Sequence, residues 1–512
     1  MNELLKRLGI GAIIGLVVAL LLGIGTQKIQ FLKDLLDEYE YLSYDSRMKY
    51  KVKGVEENSI EDIYIIDIDN NSVMSLGNYK DWPHAVHGQL IESVSSGNPK
   101  GILFDIIFDQ ENTGGFYLVQ DLAMEHEFTS QKMVERTNNF LFSKDPYAFV
   151  DQTKITQKVY HALVFEEEDS LNFLYKMDSE PDGYFYENHI IQGIPKDKAE
   201  NLPTADRIGN TYVELLSASI GAGSANFPQD EDGIIRRSPT AIYFEGSGHV
   251  YPSLVMSAAI DILGIKKDGG FDYDFDNHLL KLIDTTNTVI REIPIDEKGR
   301  MYVNYYGPFK TFYYLPYSLC IDPRIADYFD DKVAFVGASL PGLMDLRNTP
   351  VQETFAGVEI HANVMHSILK NEFVQLTSPS KNFIVILIIS ILLGILVSIP
   401  QKPLYTLPAP LVSIIAWVLF TFTQFGSNLV MWEIVRPAIS IGGTYLGIFL
   451  YNFLIVEKDK RFLKDTFGTY ISPELIDQMF DAKEEPSLGG EEGYHTRPFL
   501  QTYKVFQPFQ KN

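Results

Sequence analysis

The sequence is poor in cysteine, and Cys320 is the single cysteine among 512 residues. A lone cysteine excludes an internal disulfide framework and any metal site built from several cysteines. A domain held outside the cytoplasm must therefore be stabilised by its own hydrophobic core, which a segment of several hundred residues can supply.

Basic side chains are also scarce. The chain has 43 lysine and arginine residues against 67 aspartate and glutamate residues, a formal net charge of -24 at pH 7. Nucleic acid binding depends on concentrated Lys and Arg to displace counterions from phosphates. Since neither a basic stripe nor a Lys-rich arm occurs, we expect no nucleic acid partner.

Long apolar runs, by contrast, occur at residues 8–26, 383–399, 405–425 and 437–456. Each is close to the ~20 residues that cross ~30 Å of hydrocarbon as a helix. We therefore predict a first transmembrane helix at residues 8–26 and a three-helix membrane region at residues 382–456. The alternative for the first run is a cleaved signal peptide. This run is longer than a signal-peptide core and lacks a small-x-small exit, which favours an uncleaved anchor.

The orientation follows from the bias of Lys and Arg toward the cytoplasmic side. Basic residues flank the first run at its start, lie between the second and third runs, and follow the fourth: Lys6, Arg7, Lys402, Lys458, Lys460 and Arg461. Residues 1–7 are then a cytoplasmic N-terminus and residues 27–381 lie outside. We predict a multi-pass membrane protein with both termini in the cytoplasm. Arg436, on the outer side in this arrangement, disagrees with the bias.

Residues 27–381 have the pattern of a mixed α/β domain. Buried strands are predicted at residues 63–69, 101–108 and 332–337, and a helix at His84–Ser95. Strands that alternate with helices favour a partly parallel sheet covered by helices. The stretch from Asp109 to about Pro203 is polar and irregular, and we interpret it as a long insertion that decorates the core.

Acidic side chains stand at or near the ends of two of these strands, at Asp67, Asp69 and Asp105. Open α/β sheets commonly bind ligands at the carboxyl ends of their strands. The pattern indicates a pocket for a polar ligand or a cation, and the alternative is that these residues cap loops and helices.

Three further patterns favour structural roles. The segment Asp230–Gly233 resembles a calcium loop but lacks its distal glutamate and spacing, so a turn before a strand is the better interpretation. His361 and His366 are five residues apart, which does not place two metal ligands on one helical face. The small residues from Gly337 to Ser339 lack the lysine of a phosphate-binding loop and predict a sharp connection from strand to helix.

A family resemblance covers most of residues 40–375. Its motifs occur in order as Asp67-Ile-Asp69, Trp82-Pro83, Phe104-Asp105, Asp232-Gly233, Tyr305–Pro308, Val336–Ser339, Asp345–Pro350 and Gly357–Asn363. This arrangement resembles the CHASE2 domain, an extracytoplasmic sensor module of bacterial signalling proteins. The family usually places three membrane helices after the domain, as here, and His84 stands where it typically has Arg. The resemblance supplies no ligand. Asp345 and Arg347 are included with the three aspartates as candidate ligand-binding residues.

Residues 457–496 are similar to the coupling helix and lead-in of class III adenylate/guanylate cyclases joined to CHASE2 domains. The similarity is carried by Phe467–Pro473 and Leu488–Glu492. The Gly-Gly-Glu-Glu at 489–492 is not interpreted as a diguanylate cyclase, because no catalytic fold surrounds it. Such a helix would transmit membrane motion to a cyclase dimer, and we expect a homodimer.

Residues 497–512 do not continue the cyclase pattern. Codons for the cyclase-like peptide Phe-Thr-Asp-Ile-Gln-Gly-Phe-Ser-Thr-Phe-Ser-Glu, read one base later, can encode Leu500–Lys511 in order. We therefore expect an aberrant tail produced by a frameshift near Thr496. No catalytic residue or cofactor is expected in this chain, since ATP and Mg²⁺ or Mn²⁺ would belong to an intact cyclase domain.

The sequence leaves two functions open. The first is the sensor and transmembrane part of a class III cyclase, without enzyme activity in this chain. The alternative is a non-enzymatic membrane sensor or partner-binding protein that acts through dimerisation. A transporter is disfavoured, because the apolar runs carry few charges and no inverted repeat is visible.

Overall fold

The computed structural model describes residues 2–108, 116–125, 130–166, 189–340, 346–400 and 403–456. Within these ranges the chain is a mixed α/β domain combined with long apolar helices. The predicted coupling helix, lead-in and tail at residues 457–512 lie outside the described residues.

The helices are numbered along the chain. They are α1 Asn2–Leu20, α2 Gln30–Lys51, α3 Asn70–Leu76, α4 His84–Ser95, α5 Phe116–Glu125, α6 Gln131–Ser143, α7 Tyr147–Thr156, α8 Lys196–Ala199, α9 Val213–Ala218, α10 Leu254–Leu263, α11 Tyr317–Cys320, α12 Gly357–Lys370, α13 Pro379–Val397, α14 Pro408–Asn428 and α15 Val435–Tyr451. Helix α1 continues through a π-helical turn, Leu21–Gly25, and the short helix Thr26–Lys28.

The strands are numbered in the same way. They are β1 Ile60–Ile68, β2 Gly101–Phe104, β3 Val159–Glu166, β4 Thr204–Ala205, β5 Arg207–Asn210, β6 Gly221–Ser224, β7 Arg237–Pro239, β8 Ala241–Phe244, β9 His249–Pro252, β10 Phe271–Asp274, β11 Leu279–Ile283, β12 Val289–Pro294, β13 Arg300–Tyr302, β14 Phe312–Pro316, β15 Val333–Ala338, β16 Leu346–Arg347, β17 Phe355–Ala356, β18 Gln375–Leu376 and β19 Val430–Met431.

The main sheet of the described residues has seven strands in the order β14-β1-β15-β2-β3-β5, with β6 also paired to β3. All of these pairs are parallel except that between β3 and β5. Strands β2 and β15 and the second half of β1 are almost continuously buried and mostly apolar. This composition is typical of parallel strands covered by helices on both faces.

Two hydrophobic cores lie on the two faces of this sheet. On one face, Ile65 and Phe335 pack with residues of α2, α10 and α12. On the other face, Ile66 and Phe104 pack with residues of α4 and with Phe149 of α7. The sheet is therefore the middle layer of three, and the sequence-based prediction of an α/β domain is confirmed.

Four helical segments of the described chain are long and apolar enough to cross a membrane: Leu4–Gly25, Pro379–Val397, Pro408–Asn428 and Val435–Leu454. These confirm the four predicted apolar helices, with ends shifted by a few residues. The first and second pack closely because Gly11 and Gly15 lie against the backbone of Gly394 and Ser390, where a Cβ atom would collide. Small residues that bring backbones together are a common basis of helix association in membranes.

Helix α2 joins the first apolar helix to the α/β domain. A break at Ile29, with extended φ and ψ of -107° and 101°, separates it from Thr26–Lys28. Its buried side chains include Tyr44 and Met48, which belong to the core on one face of the sheet. The domain and the first apolar helix are therefore connected through a single 22-residue helix.

Several local predictions are confirmed and others are corrected. Helix α4 has the predicted bounds, β1 and β15 correspond to the strands predicted at 63–69 and 332–337, and β2 ends earlier than the predicted residue 108. The interpretation of residues 109–203 as decoration was wrong for β3, which lies inside the main sheet between β2 and β5. Local composition did not reveal it because its partners are distant in sequence.

Candidate functional site

The carboxyl ends of β1, β15 and β2 form the candidate site. These three strands are parallel neighbours, with Asp67 opposite Gly337 and Val336 opposite Phe104. The segments that follow β1 and β2 lead to helices on one face of the sheet, whereas β15 leads to α12 on the other face. Chains that diverge in this way mark the place where open α/β sheets commonly bind ligands, in a crevice outside the strand ends.

Asp67 lies at this edge of the sheet, at the end of β1. It is 5% exposed, and its Oδ1 accepts a hydrogen bond of 2.7 Å from the backbone amide of Ser339, whose hydroxyl donates to Oδ2. Burial raises the pKa of Asp67, while the hydrogen bonds from Ser339 act in the opposite direction. The small residues predicted to form a sharp connection after β15 thus supply donors that hold the Asp67 carboxylate in place.

Asp69 lies at the start of α3 and caps it. Its Oδ1 accepts hydrogen bonds of 2.8 Å from the amide and 2.7 Å from the hydroxyl of Ser72. Its Oδ2 accepts one of 2.9 Å from the Asn71 side chain. In these contacts Asp69 matches the alternative interpretation of a helix cap.

Asp105 follows β2 directly and faces His361 in the first half of α12. The two side chains are 3.6 Å apart between Oδ1 and Nε2. The His361 ring is 2% exposed and packs against Phe227, with 4.3 Å between ring centroids. Its Nε2 has no hydrogen-bond partner among the described residues. A buried nitrogen without a partner is uncommon, and this one makes the Asp105 side of the crevice suited to a polar ligand.

The other two candidate residues lie in the segment between β15 and α12. Asp345 is outside the described residues. Arg347 belongs to β16, which pairs with β17, and β17 leads directly into α12. The structure therefore brings Asp67 and Asp105 to one edge of the sheet and turns Asp69 toward a helix cap. Arg347 pairs through its backbone with β17, the strand that precedes α12.

Sequence reasoning missed Glu359, in the first turn of α12. This side chain is fully buried, and its carboxylate accepts hydrogen bonds of 2.9 Å from the Lys310 amide, 3.0 Å from the Thr311 amide and 2.9 Å from the Tyr314 hydroxyl. Burial raises the pKa of Glu359 to about 7, although these donors favour the charged form. The sequence did contain one indication of a buried acid, because Glu359 stands between the apolar residues Val358 and Ile360.

The segment Asp230–Gly233 is a turn, as predicted. Gly233 has a positive φ of 80° and its amide donates to the Asp230 carbonyl over 2.8 Å. The carboxylates of Asp230 and Asp232 bind the buried Arg236, which also pairs with Asp45 of α2 over 2.7 Å. Arginine thus occupies the position that a calcium ion would need. No group of three or more His, Cys, Asp or Glu side chains within the described ranges is arranged to hold a metal ion.

Comparison with known proteins gives one family match. The model described as "CHASE2 domain" matches residues 13–396, about three quarters of the chain. No curated protein and no solved structure matches the chain.

Proposed function

This chain belongs to the CHASE2 domain family, and on that premise we propose that it is a membrane-bound receptor. CHASE2 is an extracellular sensor domain. In this proposal the α/β domain lies outside the cytoplasm of a bacterium and detects a signal. The four apolar helices span the inner membrane, and both termini are cytoplasmic.

The observation that carries the proposal is the direct connection of the candidate site to the apolar helices. Helix α12 has His361 and Glu359 near its start, and only residues 371–378 separate its end from α13. Part of this link, β18, pairs with β19 in the loop between α14 and α15. The backbone carbonyls of Ile368 and Leu369 at the end of α12 are held by the Arg291 side chain. A shift of α12 would therefore displace α13.

We propose that the signal is a polar ligand that binds in the crevice. The residues assigned to it are the five candidates Asp67, Asp69, Asp105, Asp345 and Arg347. Asp105 and the unpartnered Nε2 of His361 offer it an acceptor and a second polar atom. Binding between them would change the separation of β2 and α12, because Asp105 directly follows β2 and His361 lies on α12.

For the output we propose a class III adenylate/guanylate cyclase domain, brought together as a homodimer. Support comes from the resemblance of Phe467–Pro473 and Leu488–Glu492 to a cyclase lead-in, and from the alternative codon reading of Leu500–Lys511. In this proposal a frameshift near Thr496 separates the catalytic domain from the present chain. ATP with Mg²⁺ or Mn²⁺ would bind that domain and not the residues of this one.

Sequencing the gene through the codons of residues 488–512 tests the cyclase proposal. We expect a shift of one base near the Thr496 codon to open a cyclase reading frame that begins with a metal-binding aspartate. The purified 512-residue chain, incubated with ATP and Mg²⁺ or Mn²⁺, should form no cyclic AMP. Absence of a cyclase frame would leave the second function, a membrane sensor that acts by binding a partner protein.

A further inference from the structure

The loop before β14 forms an anion-binding turn whose anion is the Glu359 carboxylate. Two successive amides, of Lys310 and Thr311, point at its two oxygens. Lys310 has a positive φ of 69°, in the left-handed region that a lysine seldom adopts. Successive amides in such a turn make a concave site for an anion. The strained turn is therefore held in part by one buried negative charge.

We propose that Glu359 is a proton-binding site through which this domain responds to the acidity of its surroundings near neutral pH. The effect of proton binding on the apolar helices rests on the receptor function proposed above. Proton binding itself requires neither a ligand in the crevice nor a cyclase domain. This proposal assigns a ligand, the proton, to a residue that lies outside the five candidates.

The chemistry of protonation explains why the site would act as a switch. The charged carboxylate accepts from two backbone amides and from Tyr314. A protonated carboxyl is itself a donor and has less acceptor capacity, so it cannot satisfy the same three donors. Protonation also removes a negative charge from the first turn of α12, where the helix dipole favours it. The Lys310 turn and the start of α12 would both loosen.

The surroundings of the Glu359 carboxylate favour protonation near neutral pH. Burial penalises the charged form and raises the pKa of Glu359 to about 7, against the opposing effect of its donors. The titratable and charged groups around Glu359 are Lys310, Tyr314 and, beside these two, Asp67 at the end of β1. The Lys310 ammonium lies 5.9 Å from the Tyr314 ring and does not pair directly with the Glu359 carboxylate.

The consequence follows from the path of α12. Its first turn carries Glu359, its last carbonyls are held by Arg291, and it leads into α13 over residues 371–378. Loosening of the first turn would thus be passed toward the apolar helices. A proton on Glu359 would act on the same helix as a ligand bound beside His361, two residues further along α12.

Infrared spectroscopy of the full chain in lipid nanodiscs tests the proton site. The carbonyl band of a protonated carboxylic acid should be present at pH 5.5, disappear with a midpoint near pH 7, and be absent from Glu359→Gln. Asp261→Asn is the matched control, since Asp261 on α10 is another carboxyl with a raised pKa that accepts a hydrogen bond from a tyrosine hydroxyl, that of Tyr160. That control should retain the band that titrates near pH 7.

A second variant keeps the test valid if Glu359→Gln does not fold. Tyr314→Phe removes one donor to the carboxylate and leaves the ring in place. It should move the midpoint upward by about one pH unit, the effect of losing one hydrogen bond to a charged group. A band that survives in Glu359→Gln, a midpoint that Tyr314→Phe leaves unchanged, or no carboxyl titration between pH 5.5 and 8.5 would each overturn the proposal.

Discussion

The carboxylate of Glu40 accepts hydrogen bonds from the backbone amides of Ile434 and Val435, at the start of α15. The same carboxylate pairs with Arg47, whose guanidinium also donates to the Trp432 carbonyl over 2.7 Å. Glu40 lies on α2, which leads into the α/β domain. The last apolar helix is therefore fastened to the domain by the side chain of a residue almost four hundred positions earlier.

This contact predicts the effect of changing Glu40. Glu40→Ala would leave the start of α15 without its acceptor and would leave Arg47, whose side chain is fully buried, without its counter-ion. Breaking a buried pair from one side costs about 3 kcal/mol or more. We expect a clear fall in the thermal unfolding midpoint of the chain in detergent. The exposed Glu38 on the same helix is the control, and an equal loss in Glu38→Ala would contradict the assignment.

The same region explains the basic residue that disagreed with the charge bias. The Arg436 guanidinium is 2.8 Å from Asp37 and 3.3 Å from Glu433. Burial and the neutralising Arg436 act in opposite directions on the pKa of Glu433, and burial prevails to raise it. Arg436 is thus bound to carboxylates beside Glu40, so its position reflects local pairing and not the orientation of the chain.

The close packing of the first two apolar helices gives a second prediction. Gly15 lies against the backbone of Ser390, so Gly15→Leu would push α1 away from α13. We expect the variant to enter the membrane normally but to unfold at a lower temperature and to be cleaved faster by protease. Gly9→Leu is the control, because nothing lies within 4 Å of a Cβ atom at Gly9. Equal stability of both variants would contradict the observed helix packing.

A third prediction concerns His161 of β3. Its ring is fully buried against Phe104, with 5.0 Å between centroids, and neither ring nitrogen has a hydrogen-bond partner among the described residues. Burial lowers its pKa to about 3. The unfolded chain therefore binds this proton more readily, and the stability due to neutral His161 is lost as the pH falls from about 6.5 toward 3.

His161→Phe should remove that loss. We expect the variant to unfold at a higher temperature than the natural chain, with a larger difference at pH 5 than at pH 8. Replacement of an unpaired buried polar group by an apolar group of similar shape is neutral or stabilising. Thermal unfolding at pH 5 and at pH 8 measures the difference between the variant and the natural chain. A difference that does not grow at pH 5 would show that His161 is not buried in its neutral form.

Glu359 has the opposite pH dependence, which gives a fourth prediction. Its folded pKa of about 7 lies above the ordinary 4.5, so the folded state holds more protons between these values. The stability it contributes is complete below about pH 4.5, where relief of the buried charge outweighs the hydrogen bonds that protonation weakens, and it is lost as the pH rises to about 7. Because the stability due to His161 changes with pH in the other direction, the test is the difference in free energy of unfolding between the natural chain and Glu359→Gln at each pH. That difference should decline from pH 5 to pH 7 and stay constant above it.

The sequence was informative where one local pattern decides the structure. Uninterrupted apolar runs identified the four long helices, and alternation of strands with helices identified the α/β domain. Asp67 and Asp105 were placed correctly at strand ends because parallel strands bring their carboxyl ends to one edge. The acids of Asp230–Gly233 were correctly interpreted as part of a turn.

The features that were missed depend on contacts between distant segments. Strand β3 contains His161 and follows a polar stretch, so its burial becomes evident only beside β2 and β6. The donors to Glu359 come from residues almost fifty positions earlier, and the partners of Glu40 come from residues almost four hundred positions later. The periodic pattern of apolar residues in the sequence does not indicate such pairs. The structure of residues 457–512 stays a prediction, and so do the ligand-binding roles of the five candidates, Asp67, Asp69, Asp105, Asp345 and Arg347.

We propose that the α/β domain lies outside the cytoplasm on an anchor whose N-terminus is inside. Labelling with a membrane-impermeant maleimide on spheroplasts tests it, because Cys320 is buried and burial raises its pKa to about 12, which keeps it unreactive. Glu297 and Lys6 are both exposed and serve as positions for single new cysteines. We predict that Glu297→Cys is labelled on intact spheroplasts and Lys6→Cys only after permeabilisation. Labelling of Lys6→Cys on intact spheroplasts, with Glu297→Cys protected until permeabilisation, would contradict the account.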